Sequence, residues 1–411
     1  MPLKRGRAAP TFEKWDGYGP VFMSILLRHS VAEPRNPTEI AAVLAAGFAG
    51  EAAAVDRDGR IPRANFDHLH KAGLLNLTVP AALGGGGASL AAVTAVVGQI
   101  AEGDASTALI LAMHLLHIAG IFRSSAWPKP LAERVALSSI EGVALINALR
   151  VEPELGTPAR GGLPATTAQR VEGGWRLKGR KIYSTGSSIL RWALVWARTD
   201  EAEPRVGMFL VPMDRPGIQI VETWNHLGMR ATGSHDVLFE EVEIPADHAV
   251  DLRLPKEWGG PDPVQAAWNT LTISALYDGI ARAARDWFVS HLKSRAPSNL
   301  GAPLATLPRF QEAVGEIEAW LAVNRRLIAS AAAEVDRDPS ALSVAEAGLI
   351  KRTVTGNAIK AVERALELSG NRGLDRGAPL ERHYRDVLCS RIHTPQDDSI
   401  LLAAGRTALG L

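Results

Sequence analysis

Residues 177–199, LKGRKIYSTGSSILRWALVWART, decide how this chain folds. WALVWART (192–199) is a strand-length run, and the Ser-Thr-Gly-Ser-Ser cluster before it (184–188) is a turn signal. Upstream, TTAQRV (166–171) and GWRLKG (174–179) flank Gly173-Gly174, a good hairpin turn. Downstream come GMFLVPM (207–213), IQIVETW (218–224) and DVLFEEVEI (236–244). Several short strands with no helix between them predict a compact antiparallel β-domain over 145–260.

On both sides of that block the periodicity becomes helical. EIAAVLAAGFAGEAAAVDRDG places Ala, Leu and Phe three and four residues apart and stops at Asp58-Gly59. NFDHLHKAGLLNLTV is a second amphipathic segment, ended by Pro80. The run Gly84–Gly87 must be a loop, because successive glycines cost too much backbone entropy for a helix. Two apolar helices follow, Ser89–Glu102 and Ser106–Phe122, broken at Gly103-Asp104. After Pro263 four long helical segments are expected, 264–294, 308–335, 340–369 and 379–411. The organisation is therefore an N-terminal arm (1–36), a helical domain (37–144), the β-domain (145–260) and a C-terminal four-helix bundle (261–411). The chain is mainly α with a central antiparallel, barrel-like β-domain.

Among the 411 residues, 46% are hydrophobic and 22% charged, enough for a large core divided over several domains. A formal net charge of +1 gives no global field toward nucleic acid or an anionic membrane. The single cysteine, Cys389, excludes an internal disulfide framework and a thiolate metal cluster. Phe22–Leu27 is too short for a signal sequence. Ser106–Phe122 carries His114 and His117 and reads as a buried helix rather than a membrane span of ~20 apolar residues. A cytoplasmic enzyme with no nucleic-acid or membrane partner is the expectation. The histidines show no metal-ligand spacing, and His114 and His117 read as satisfied core or pocket residues.

The order helices, β-domain, helices, with four local motifs, resembles the acyl-CoA dehydrogenase superfamily over about nine-tenths of the chain. Gly73-Leu74 to Gly84-Gly85 looks like the entry to that family's helical domain. Residues 177–199 resemble its "NGxKxWITNxxxAxxxxVxAxT" stretch. LGMRATGSHDVLFEEVEIP (227–245) resembles "LGxRxSxTxxxxFxxVxVP", and GNRGLDRGAPLERHYRD (370–386) resembles "GGxGYxxxxPxxxxxRD".

The resemblance implies a flavin site. Tyr183-Ser184-Thr185 matches the family's Trp-Ile-Thr on one face of the flavin ring, so Tyr183 would cover the ring and Thr185 would hydrogen-bond its edge near N5. Arg295, Gly301 and Gln311 look like the family's Arg…Phe-Gly…Gln stretch, which approaches a neighbouring subunit's flavin. Here there are extra residues and no Phe before the Gly, which displaces Arg295 from the family pattern. An arginine suits a pyrophosphate through bidentate, charge-assisted bonds. Gly370 and Gly373 match a glycine turn whose backbone amides reach phosphate oxygens. Glu367 stands where the family has Gln, and a carboxylate beside a pyrophosphate is electrostatically unfavourable, which leaves FMN open beside FAD. The family pattern also implies a homotetramer or dimer.

Dehydrogenation of an acyl thioester needs a carboxylate base, raised in pKa by a dry pocket. The family carries it in a Tyr-Glu-Gly-Thr segment after the Arg-Asp pair. Counting from Arg385-Asp386, this chain has VLCSRIHTPQ, with His393, Thr394 and Pro395 at the Tyr, Glu and Gly positions. The alternative family position falls within 268–286, which contains no Glu, only Asp278 and Asp286. Arg-Asp followed by His-x-Pro resembles the flavin-dependent monooxygenase branch, the dibenzothiophene and alkylsulfone-type enzymes. Those take reduced flavin from a separate reductase, and a histidine near this position handles the activated oxygen. In those terms His393 is the acid/base, near neutral pKa by chemical type, and Ser184 or Thr185 a second donor. The expectation is a flavin oxidoreductase, monooxygenase-like on a small organic or organosulfur substrate. An acyl-CoA dehydrogenase with an atypical base such as Asp278, or a catalytically silent flavin- or acyl-binding subunit, are the alternatives.

Overall fold

Apolar residues at three- and four-residue spacing form the first helices, Pro37–Asp58 (α1), Arg63–Lys71 (α2), Leu90–Gly103 (α3), Ala105–Arg123 (α4) and Lys129–Glu141 (α5). The computed structural model describes residues 36–155 and 162–411, so the arm expected over 1–36 lies almost wholly outside the described residues. The α3–α4 break sits where the sequence places it. Asp104 has extended backbone and accepts the N–H groups of Ser106 and Thr107 as the N-cap of α4. By length and composition α1 and α4 could each cross a membrane, but α4 is mostly packed inside the protein. His114, in its middle, donates from Nε2 to the Leu75 carbonyl and accepts the Ile146 N–H at Nδ1, the satisfied core histidine expected.

Eight strands follow: Leu145–Leu149 (β1), Thr167–Val171 (β2), Gly174–Lys181 (β3), Leu190–Thr199 (β4), Val206–Pro212 (β5), Ile218–Val221 (β6), Asp236–Pro245 (β7) and Ala249–Arg253 (β8). They form one sheet ordered β6-β7-β3-β2-β4-β5-β8, with β1 also on β4. Pairing is antiparallel except that β1 and β2 both run parallel to β4. The β2–β3 hairpin turns at Glu172-Gly173, where Gly173 has φ +77°. Strand β4, where WALVWART lies, is buried on both faces between the helices and the rest of the sheet. That explains its continuous rather than alternating hydrophobicity.

The C-terminal part contains Pro263–Ser294 (α6), Pro308–Arg337 (α7), Val344–Leu368 (α8), Asn371–Leu374 (α9), Pro379–Leu388 (α10) and Asp397–Leu409 (α11). The long segment expected over 379–411 is in fact two helices. A short 3₁₀ turn, Cys389–Arg391, and a cis Thr394–Pro395 bond separate α10 from α11. Proline lacks an N–H and disfavours helical backbone at the residue before it, which accounts for the break. His393 lies in that interruption.

Candidate functional site

Strand β3 delivers Tyr183-Ser184-Thr185 to a tight corner before β4. Tyr183 has φ +56°, is 55% exposed as a residue, and stands edge-on to Trp224 and His226, which stack at 3.7 Å. The backbone of the corner is laced to residues 232–235. Ser184 N–H donates to the His235 carbonyl (3.1 Å) and Gly186 N–H to that of Thr232 (2.9 Å), while the Ser187 hydroxyl donates to Gly233 (2.8 Å). The Thr185 carbonyl accepts from Asn147 on β1 (3.0 Å), and its hydroxyl meets Ser234 Oγ at 3.0 Å. Ser184 is buried, and its hydroxyl has no hydrogen-bond partner among the described residues. An orphaned buried hydroxyl is costly, so one beside an exposed aromatic face suits a bound polar heterocycle such as a flavin.

The other side of the 227–235 loop is clamped by the Arg-Asp pair of α10. Gly228 leaves room for that approach, since a Cβ there would lie 2.2 Å from the Arg385 carbonyl oxygen. Asp386 accepts the Met229 N–H at 2.6 Å. Arg385 binds the Asp56 carboxylate of α1 (2.6 Å) and the Leu227 carbonyl (2.9 Å), and Arg230 donates to the Asp56 carbonyl. Burial pushes Asp386 up to about 7. The pair that serves as a landmark in the sequence is thus a bracket joining α1, the motif loop and α10.

His393 Nδ1 lies 2.7 Å from the Tyr277 hydroxyl of α6. Tyr277 is fully buried and its pKa is raised well above the ordinary 10, first by burial and then by Cys389 and Asp386. It therefore keeps its proton, and because that buried hydroxyl has no other acceptor among the described residues it donates to Nδ1, which puts the ring proton of a neutral His393 on Nε2. That nitrogen makes no hydrogen bond within the described residues. Burial, then the Lys351 cation, lowers the pKa of His393 to about 4. The near-neutral value expected from chemical type is therefore corrected: His393 is a neutral donor at pH 7, not half-protonated. Lys351, buried on α8, donates to the carbonyls of Ser390 (3.2 Å), His393 (2.8 Å) and Pro395 (2.8 Å) and so shapes the loop that holds the ring. Thr394 is exposed. Asp278, the other acid considered as a base, is pushed up to about 6 by burial but is engaged by Asn324 (3.0 Å) and Arg282 (3.1 Å) inside the bundle.

Of the phosphate-binding candidates, Arg295, Gln311 and Gly370 lie on the surface. Arg295 is the exposed C-cap of α6. His291, stacked on Trp287, is lowered in pKa by burial, then by the charges of Arg295 and Arg372. Arg372 follows Gly370, where φ is +58° and nothing crowds the Cα. Gly373 is buried. Gln311 is exposed in the first turn of α7 and donates to the Ala305 carbonyl (3.0 Å). Glu367 is paired with Arg364 at 2.8 Å, which tempers its charge. Among the described residues no cluster of three His, Cys, Asp or Glu could hold a metal.

Comparison with known proteins fits this geometry. The sequence families described as acyl-CoA dehydrogenase N-terminal, middle and C-terminal domains match residues 38–124, 150–242 and 271–397. YdbM of Bacillus subtilis (strain 168), named for an acyl-CoA dehydrogenase, is 35% identical over 356 residues, 86% of this chain and 91% of that one. The L-evernosamine nitrososynthase of a Micromonospora species is 29% identical over 386 residues, 89% of this chain and 87% of the enzyme. The structure of KijD3 in complex with FMN and dTDP-3-amino-2,3,6-trideoxy-4-keto-3-methyl-D-glucose superposes with a TM-score of 0.79 at 29% identity, covering 94% of this chain and 96% of KijD3.

Proposed function

Because the chain belongs to the acyl-CoA dehydrogenase family, we propose that it is a flavin-dependent oxidoreductase of the oxygen-using type, acting on a small molecule at a nitrogen or sulfur atom. One observation carries this reading. The position after the Arg-Asp pair where a dehydrogenase needs its carboxylate holds the exposed Thr394, and beside it stands His393, neutral and braced by Tyr277. The similarity to L-evernosamine nitrososynthase, and to KijD3 seen with FMN and an amino-sugar nucleotide, supports a heteroatom substrate and leaves FMN beside FAD.

In this reading Tyr183 covers the ring, Thr185 meets its edge, and Ser184, whose buried hydroxyl has no partner among the described residues, is the second donor. When bound, the flavin supplies the electrons that activate oxygen. His393 then offers its Nε2–H, fixed in direction by Tyr277, while Lys351 holds the loop in place. Arg295, Gln311, Gly370 and Gly373 serve a neighbouring subunit's cofactor in a cytoplasmic homotetramer or dimer, and a separate flavin reductase is the supplying partner. The exposed Leu401, Leu402 and Leu409 of α11 suit burial between subunits. Sedimentation at micromolar protein should show a dimer or larger; a stable monomer would remove the cross-subunit role of Arg295.

A second reading, thioester dehydrogenation, is favoured by the 35% identity to YdbM. The two readings separate in an anaerobic cuvette. Octanoyl-, isovaleryl- and palmitoyl-CoA should leave the bound oxidised flavin unreduced, whereas NADH with a flavin reductase should reduce it. Rapid bleaching by any of the three thioesters would replace the oxygen-using reading and send the search for a base to Asp278.

A further inference from the structure

We infer that Ser234 and Thr232 fix the direction of the Thr185 hydroxyl so that the site binds reduced flavin in preference to oxidised flavin. The inference rests on the placement of Thr185 at the flavin edge proposed above and adds the reason the site would choose a redox form.

Three hydroxyls stand in line. Thr185 Oγ1 is 3.0 Å from Ser234 Oγ, Ser234 Oγ is 2.7 Å from Thr232 Oγ1, and Thr232 Oγ1 is 2.9 Å from the Met229 carbonyl oxygen. Each hydroxyl has one hydrogen to donate, and a carbonyl has none. The far end of the line is therefore polarised. Met229 O can only accept, and it already takes the Trp224 Nε1–H (3.0 Å) and the Thr232 N–H (3.2 Å). Thr232 spends its hydrogen there, so the next contact is Ser234 donating to Thr232. Ser234 is then spent, so Thr185 donates to Ser234. What Thr185 has left to present is a lone pair.

Three backbone N–H groups of this corner are already engaged. The N–H groups of Ser184, Thr185 and Gly186 go to the carbonyls of His235, Tyr183 and Thr232. Thr232 and Ser234 are buried, so water does not readily rewire the line. An oxidised isoalloxazine carries a lone pair at N5 and needs a donor there; the two-electron-reduced ring carries N5–H and needs an acceptor. A Thr185 hydroxyl locked as acceptor satisfies the second and opposes the first.

The test is the ratio of dissociation constants for oxidised and dithionite-reduced FMN, measured anaerobically by titration and repeated with FAD. The wild-type protein should favour the reduced form. Ser234→Ala removes the acceptor that holds the Thr185 hydrogen, and Thr232→Val lets Ser234 donate to Thr185 instead. Each should cut the preference by roughly three- to tenfold, the worth of one hydrogen bond, mainly by tightening oxidised flavin. Thr232→Ser keeps the donor and should retain the wild-type ratio. Thr185→Val separates the two layers. If it changes the affinity of either redox form while Ser234→Ala and Thr232→Val leave the ratio alone, the relay is overturned and the placement of Thr185 stands. If Thr185→Val changes neither affinity, or if neither FMN nor FAD binds the wild-type protein, the placement itself falls and the relay with it.

Discussion

Lys181→Met is expected to lower the free energy of unfolding by about 3–5 kcal/mol, the usual result of removing one partner from a buried ion pair. Lys181 is fully buried, and its Nζ lies 2.6 Å from Glu152 Oε1 and 2.5 Å from the Trp196 carbonyl of β4. Glu152, 2% exposed, also accepts the N–H groups of Ala165 (2.6 Å) and Thr166 (3.0 Å) and the Thr166 hydroxyl (2.6 Å). The pair thus joins the end of β3, the middle of β4 and the backbone at Ala165 and Thr166. Burial pushes Lys181 down to about 8 against the opposing pull of Glu152, so at pH 7 the cation is retained and its loss leaves a buried carboxylate without a counter-charge. Lys181→Met/Glu152→Gln removes both charges and should recover part of the loss, because a neutral replacement of a buried pair is tolerated better than half of it. Urea midpoints at constant slope measure both variants. A loss below about 1 kcal/mol in the single variant would mean that water reaches the pair as at a surface salt bridge.

Lys181 also illustrates what was legible in the sequence. It stands in the stretch that resembles a flavin-binding motif, yet sequence alone gives no reason for a lysine between strands. The reason is Glu152, 29 residues earlier. Features set by neighbours in the chain read correctly. The Asp104 break, the Gly173 hairpin and the strand character of 192–199 follow from capping, turn chemistry and side-chain pattern. Features set at long range did not. The Arg385-Asp386 pair reads as a landmark because its work is to hold Met229, 157 residues away, and Asp56, 329 residues away. The single last helix failed because one Thr-Pro bond and the Lys351 contacts override an apolar pattern. Lys351 itself left a signal. It falls on the buried stripe of α8 with Ala347, Val354, Thr355 and Ala358, and a lysine at helical spacing among such residues must find acceptors inside. Tyr277 went unnoticed because 268–286 was searched for acids, and a phenol that braces a histidine has no sequence signature.

His393→Ala is expected to slow reoxidation of bound, pre-reduced FMN by oxygen about 10²–10³-fold, the size of loss that follows removal of one preorganised donor aimed at developing negative charge. The argument begins with charge. A histidine near pKa 6.5 would give an activity limb in the physiological range, but His393 sits at about 4, so its neutral Nε2–H is present at every pH above that and is replaced by the cation only below it. The His393 contribution should therefore be flat between pH 6 and 8 and change only as pH falls toward 4. Orientation comes next. Tyr277 fixes the tautomer through Nδ1 at 2.7 Å, so Tyr277→Phe leaves a donor whose proton is shared between the two nitrogens. Its loss should be smaller than that of His393→Ala, and the double variant should be no slower than the histidine variant alone, because the two side chains act as one unit. Stability serves as the control. His393→Ala strands the buried Tyr277 hydroxyl at a cost of about 1–3 kcal/mol, which Tyr277→Phe in the same chain should relieve. A double variant as stable as wild type but as slow as His393→Ala would assign the defect to chemistry rather than to folding. Wild-type reoxidation in His393→Ala, or a limb near pH 6.5 that the histidine variant abolishes, would contradict the neutral-donor role.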